Sequence, residues 1–119
     1  MFEKIVLGTV QFGLPYGFAS DFKQIPEEGV KDILMLAHQV GIKMLDTATT
    51  YGNCDKVLGK IDLVSDFKVV TKLAPLATFS GNITEKLNSI DRHFKNSLTN
   101  MKLETVDCLM VHHVKDLIA

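Results

Sequence analysis

The chain has 119 residues and a mass of 13.2 kDa, with 46% apolar and 23% charged residues, a composition that excludes collagen-like, low-complexity and disordered classes. Thirteen Lys and Arg against 14 Asp and Glu leave a net charge of −1, without the basic excess that phosphate contacts demand of a nucleic-acid binder. The longest apolar run, Ile33 to Ala37, is five residues, far below the roughly 20 needed to span a bilayer, so neither nucleic acid nor membrane is expected as a partner.

Lys4-Ile5-Val6-Leu7 reads as a strand ending in Gly8-Thr9, and its unbroken apolar core predicts burial on both faces. The segment from Gln11 to Gly17 carries Gly13, Pro15 and Gly17, which predicts a loop and no helix. Pro26 suits the first turn of a helix, and Glu27 and Glu28 sit where the macrodipole favours negative charge. Val30, Ile33, Leu34, Ala37 and Val40 mark one face of that helix, and Gly41 is placed to end it in a left-handed conformation. Lys43-Met44-Leu45-Asp46 follows at once as the second strand.

Asn53 is placed to cap a short helix from Cys54 to Gly59, and Phe67 to Lys72 reads as the third strand. Asn82 or Thr84 opens a long helix whose apolar positions are Ile83, Leu87, Ile90, Phe94, Leu98 and Met101. That stripe predicts a core-facing side. Val106 to Val111 reads as the fourth strand, and Val114 to Ala119 as the start of another loop or helix. Strands alternating with helices predict one α/β domain over residues 1–119, with a parallel sheet and crossover helices. Cys54 and Cys108 form neither a disulfide framework nor a zinc-ligand spacing, so a reducing, cytoplasmic setting and no metal site are expected. Both read as free thiols. Cys108 is expected to be a small buried hydrophobe within its strand; no specific cationic partner marks Cys54 as reactive, although a helix N-terminus could lower its pKa somewhat.

Asp46, Tyr51, Lys72 and His112 all fall at or just beyond strand C-termini. In parallel α/β architectures ligands bind at that end of the sheet. An acid, a phenol, an amine and an imidazole meeting there suit proton transfer at a carbonyl. A free phenol, with a pKa of about 10, donates poorly near neutrality, and an adjacent ammonium makes it a better donor. An aspartate would keep that ammonium charged and fixed, and a neutral imidazole could donate to the substrate oxygen.

With these residues in place, the sequence resembles the aldo/keto reductases. The resemblance rests on Gly8-Thr9, on Asp46-Thr47-Ala48-Thr49-Thr50-Tyr51-Gly52-Asn53-Cys54-Asp55 with Leu58-Gly59, on Thr71-Lys72, and on Asp107-Cys108-Leu109-Met110-Val111-His112. It implies the first half of a (βα)8 TIM barrel and NADPH-dependent reduction of aldehydes or ketones to alcohols. Tyr51 would be the general acid, Lys72 would tune it, Asp46 would pair with Lys72, and His112 would position the carbonyl of a small substrate. Gly8, Thr9 and Asp46 would border the cofactor. Two departures lie on the helix after Tyr51: a serine is common in the motif at Cys54 and a glutamate at Asp55. Phe12 and Tyr16, in the first loop, read either as walls of a substrate pocket or as loop packing. His113 is a further pocket candidate, although as the neighbour of His112 along the chain it is expected to point elsewhere.

The family holds most of its cofactor with residues from later strands, and no Gly-x-Gly-x-x-Gly fingerprint substitutes for them here. The chain is therefore expected to be an incomplete, inactive half-domain, from a truncated product or a piece of a longer enzyme. A second half-barrel, or self-association through the open edges of the sheet, would be the alternative ways to close it. Two other functions stay open: a non-catalytic binding or assembly module, and an aldolase-type barrel in which Lys72 forms a Schiff base.

Overall fold

The structure, a computed structural model, describes residues 2–18 and 21–118, so Ala119 at the end of the last predicted element lies outside it. Four strands, β1 (Val6–Gly8), β2 (Met44–Asp46), β3 (Lys68–Leu73) and β4 (Cys108–Val111), form one sheet in the order β1-β2-β3-β4. Every neighbouring pair is parallel. The connections carry α1 (Val10–Gly13) and α2 (Glu27–Gln39), then α3 (Cys54–Gly59), then α4 (Ile83–Met101). This is the α/β arrangement that the alternation predicts, because each parallel pair needs a long crossover to return the chain to the same end of the sheet.

The register decides which side chains meet. Leu7, Leu45 and Val69 lie abreast across β1, β2 and β3. Leu45 and Val69 are buried with Val30, Leu34 and Ala37 of α2, Val57 and Leu58 of α3, and Met101 of α4. Complete burial of a side chain such as Leu34 contributes about 2 kcal/mol. The next row is Gly8, Asp46, Val70 and Cys108. Strand alternation turns that row to the opposite face, and Lys72, two residues beyond Val70, shares it. The helices thus cover one face of the sheet and leave Asp46 and Lys72 on the other.

Several local expectations hold. Pro26 precedes the first residue of α2, and Gly41 follows that helix with φ of 89°. Asn82 caps α4 in a reciprocal box: its side chain accepts from the Glu85 backbone, and Glu85 accepts from the Asn82 backbone. Two of the helix's orphan donors are satisfied in this way.

Other expectations are corrected. The first strand starts two residues late, because Phe2–Lys4 form a single 3₁₀ turn. It is not buried on both faces either: Val6 is 48% exposed, since β1 is a sheet edge and pairs with β2 alone. The glycine- and proline-containing segment does contain a helical turn, α1. Burial of Phe12 in the core stabilises it, and Gly13 and Pro15 end the turn instead of preventing it. Asn53 precedes α3 without capping it; its side-chain oxygen accepts from Gln24 Nε2 at 2.8 Å. The stripe on α4 is not a core face along its length. Ile83 and Leu87 are exposed, and only Ser97 and Met101 are buried, because α4 meets α3 near its C-terminal end. Cys108 is exposed, as is all of β4, because no strand or helix covers that edge among the described residues.

Candidate active site

Threonines rivet the strand ends together. The Thr9 hydroxyl and backbone N–H both donate to the Asp46 carbonyl, each at 3.1 Å. Thr47 N donates to the Val70 carbonyl, and the Thr49 hydroxyl donates to the Lys72 carbonyl at 3.0 Å. The Cys54 thiol donates to the Thr9 carbonyl at 3.4 Å and lies 3.6 Å from the Thr47 hydroxyl. These bonds carry the register of the sheet beyond the last residues of β1 and β2 and hold the loop from Thr47 to Asn53 against it.

That loop aims Tyr51. Its backbone N–H donates to the Ala48 carbonyl and its own carbonyl accepts from Cys54 N at 3.0 Å. Gly52 supplies φ of 57°, a left-handed conformation that glycine adopts without steric cost. Close approach is required at Gly13 too, where an added Cβ would fall 1.7 Å from the Tyr51 carbonyl oxygen. Tyr51 itself packs against the core cluster.

Lys72 enters from β3 with its side chain only 15% exposed. Its ammonium donates to the Asp46 carboxylate and, at 2.8 Å, to the Thr47 carbonyl. The same nitrogen lies 5.6 Å from the centre of the Tyr51 ring. His112, immediately after β4, meets Tyr51 edge to face with ring centres 6.3 Å apart. Its Nδ1 is 3.4 Å from the Thr50 hydroxyl. Burial pushes the His112 imidazole below its ordinary pKa, with further lowering from His113 and the Lys72 ammonium, against the opposing pull of Asp46. Asp46, Lys72, Tyr51 and His112 therefore form one continuous series of contacts at the C-terminal rim of the sheet.

The remaining candidates divide. Gly8 sits in register with Asp46, and nothing lies within 4 Å of where its Cβ would be. Thr9 is fully buried and its hydroxyl is engaged. Phe12 is 2% exposed within the core, so of the two readings for it packing prevails. Tyr16 lines a cavity of about 340 Å³ together with Pro15, Gly17, Phe18 and Phe22. His113 does not point away from its neighbour: the two imidazoles stack at 5.1 Å with 16° between planes. Cys54 is buried, and desolvation raises its pKa despite the bonds from Thr9 and Thr47, so the acidity expected from a helix N-terminus is overridden. The motif alone does not show the contacts made by the Thr47 carbonyl, Thr49 and Thr50, although the crowding of threonines between Asp46 and Tyr51 is visible in the sequence.

Comparison with known proteins gives a consistent answer. The model of the aldo/keto reductase family matches residues 4–117. The oxidoreductase sirO of Leptosphaeria maculans is 28% identical over 111 residues, covering 91% of this chain and 32% of that protein. A Pseudomonas aeruginosa structure assigned to the aldo-keto reductases is 25% identical with a TM-score of 0.72, covering 92% of this chain and 42% of that one. An aldo-keto reductase of Klebsiella pneumoniae, solved in complex with NADPH, shares the fold at 20% identity and a TM-score of 0.57, over 90% of this chain and 34% of that one. The chain thus spans between 32% and 42% of the length of these matches.

Proposed function

Because the chain belongs to the aldo/keto reductase family, we propose that it carries the acid side of a reductase site, in which an aldehyde or ketone becomes an alcohol at the expense of NADPH. The observation that carries this reading is the ammonium of Lys72, held by the Asp46 carboxylate and the Thr47 carbonyl beneath the ring of Tyr51. A fixed positive charge at that place favours the phenolate left behind when the phenol gives up its proton.

When bound, NADPH supplies the hydride that adds to the carbonyl carbon. The residues present suit its nicotinamide end: Gly8 leaves open space at the end of β1, and the Asp46 side chain, 44% exposed beside it in the sheet, can accept from a ribose hydroxyl. The Tyr51 hydroxyl delivers the proton to the carbonyl oxygen, completing the alcohol. Lys72 stabilises the resulting phenolate, Asp46 keeps Lys72 in place, and His112 donates to the same oxygen to orient it. Tyr16 and its neighbours border the space where a small substrate enters. The two bonds of Lys72 count against a Schiff base, since a nucleophilic amine needs an uncharged and unengaged nitrogen.

Fluorescence titration with NADPH tests the reading, on the chain alone and on the chain completed with the remaining barrel strands. A saturable signal that appears or tightens on completion is the expected result. No saturable binding in either form favours the non-catalytic module. Borohydride trapping with a carbonyl compound is expected to leave Lys72 unmodified, and an adduct there would support the aldolase-type reading instead.

A further inference from the structure

Three of the four threonines at the rim are engaged within the scaffold: Thr9 with the Asp46 carbonyl, Thr47 with the Cys54 thiol and Thr49 with the Lys72 carbonyl. Thr50 is exposed, and among the described residues the only hydrogen-bond partner of its hydroxyl is His112 Nδ1, at 3.4 Å. Over one face of the imidazole, the His113 ring lies nearly parallel at 5.1 Å. The His112 ring is thus held at one nitrogen and over one face, while Tyr51 meets it edge-on.

A neutral imidazole has one donor nitrogen and one acceptor, and the partner of either nitrogen decides which is which. A threonine hydroxyl can donate or accept, so the contact permits two tautomers. If Nδ1 donated to Thr50, Nε2 would turn a lone pair towards any carbonyl oxygen at the rim. If the hydroxyl donates to Nδ1, Nε2 carries the proton and can hold that oxygen. We propose that Thr50 and His113 are positioning residues for His112, Thr50 donating to Nδ1 and His113 clamping the ring plane, so that the ring proton sits on Nε2. The choice between tautomers rests on the reductase reading above; the two contacts do not.

The titratable groups around the ring are His113, Lys72, Asp46 and Tyr51. Burial is the largest influence against a second proton on His112, His113 and then Lys72 add to it, and Asp46 opposes them. The stacked geometry makes the same point directly, since two imidazolium rings face to face repel. His113 therefore also keeps the His112 donor from becoming a doubly protonated ring as the pH falls.

Nitrogen NMR of the histidine rings in the intact chain tests this without measuring turnover. The expected spectrum has His112 Nε2 protonated and Nδ1 in the unprotonated, hydrogen-bonded range above its midpoint. Thr50→Val should raise the Nδ1–H fraction severalfold and Thr50→Ser should restore the original ratio. His113→Leu should move the His112 midpoint upward. A wild-type ring protonated on Nδ1, a tautomer ratio indifferent to Thr50→Val, or a midpoint indifferent to His113→Leu would overturn the proposal. Absence of reductase activity would leave these spectra unchanged, so the two readings fail separately.

Discussion

Asp55 is the one carboxyl group buried among the described residues, at 8% exposure. It accepts a 2.5 Å hydrogen bond from the Ser97 hydroxyl through one oxygen, and its other oxygen has no protein partner. Desolvation raises its pKa above the ordinary 3.8, against the lowering effects of Ser97 and His93. A carboxyl whose folded pKa is raised adds stability below the unfolded value and loses it as the pH climbs through the folded one. Asp55→Asn should therefore gain thermal stability relative to wild type as the pH is taken from about 4 towards neutrality, because the variant has no proton to lose there. Melting curves at both pH values check this, and a variant that loses ground to wild type on going to neutral pH would contradict it. At this scale the sequence was informative about polar identity and weak on surroundings. Asp46, Tyr51, Lys72 and His112 were legible because each ends or follows a strand. The parallel stack of His112 on His113 was not, since alternation along a strand no longer governs side chains once the strand has ended at Val111.

At the scale of elements, close backbone approaches set the position of the site. α1 meets the start of α3 where Gly13 approaches Cys54 and the carbonyl of Tyr51 in the loop before it, and α3 and α4 touch where a Cβ on Gly59 would lie 1.8 Å from the Asn100 carbonyl oxygen. Gly13→Ala would force α1 away from the loop that aims Tyr51. Overpacking of this kind costs about 1–3 kcal/mol. The expected outcome is a lower melting temperature together with shifted Tyr51 and Cys54 resonances; unchanged resonances would show that the contact does not position Tyr51. Long elements were readable for the reason the short ones were not. α2 and α4 repeat their apolar period over 13 and 19 residues, whereas α1 has four residues and is stabilised by one buried aromatic ring. The same period misled about burial on α4, because an apolar stripe records the face that wants cover and says nothing about whether a neighbour is there to provide it.

Across the whole molecule, the helices cover one face of a parallel sheet, while parallel sheets are ordinarily covered on both. Val6, Leu109, Met110 and Val111 are exposed on the edge strands, with Ile83 and Leu87 on α4 and Leu117 and Ile118 beyond β4. The proposed half-barrel explains this pattern, since further strands and helices would add at β1 and β4. Apolar surface of this extent should bind an environment-sensitive apolar dye in the native state, and Leu109→Lys combined with Val111→Lys should lower the signal. Dye fluorescence equal in both proteins would show that the β4 edge is not the surface responsible. The proposed chemistry converges on the Tyr51 hydroxyl, and its most direct test is carbonyl-dependent oxidation of NADPH by the completed barrel, wild type against Tyr51→Phe. Loss of a general acid lowers turnover by about 100-fold or more, with NADPH binding retained, and that is the result predicted. Turnover by Tyr51→Phe close to the wild-type rate would contradict the account.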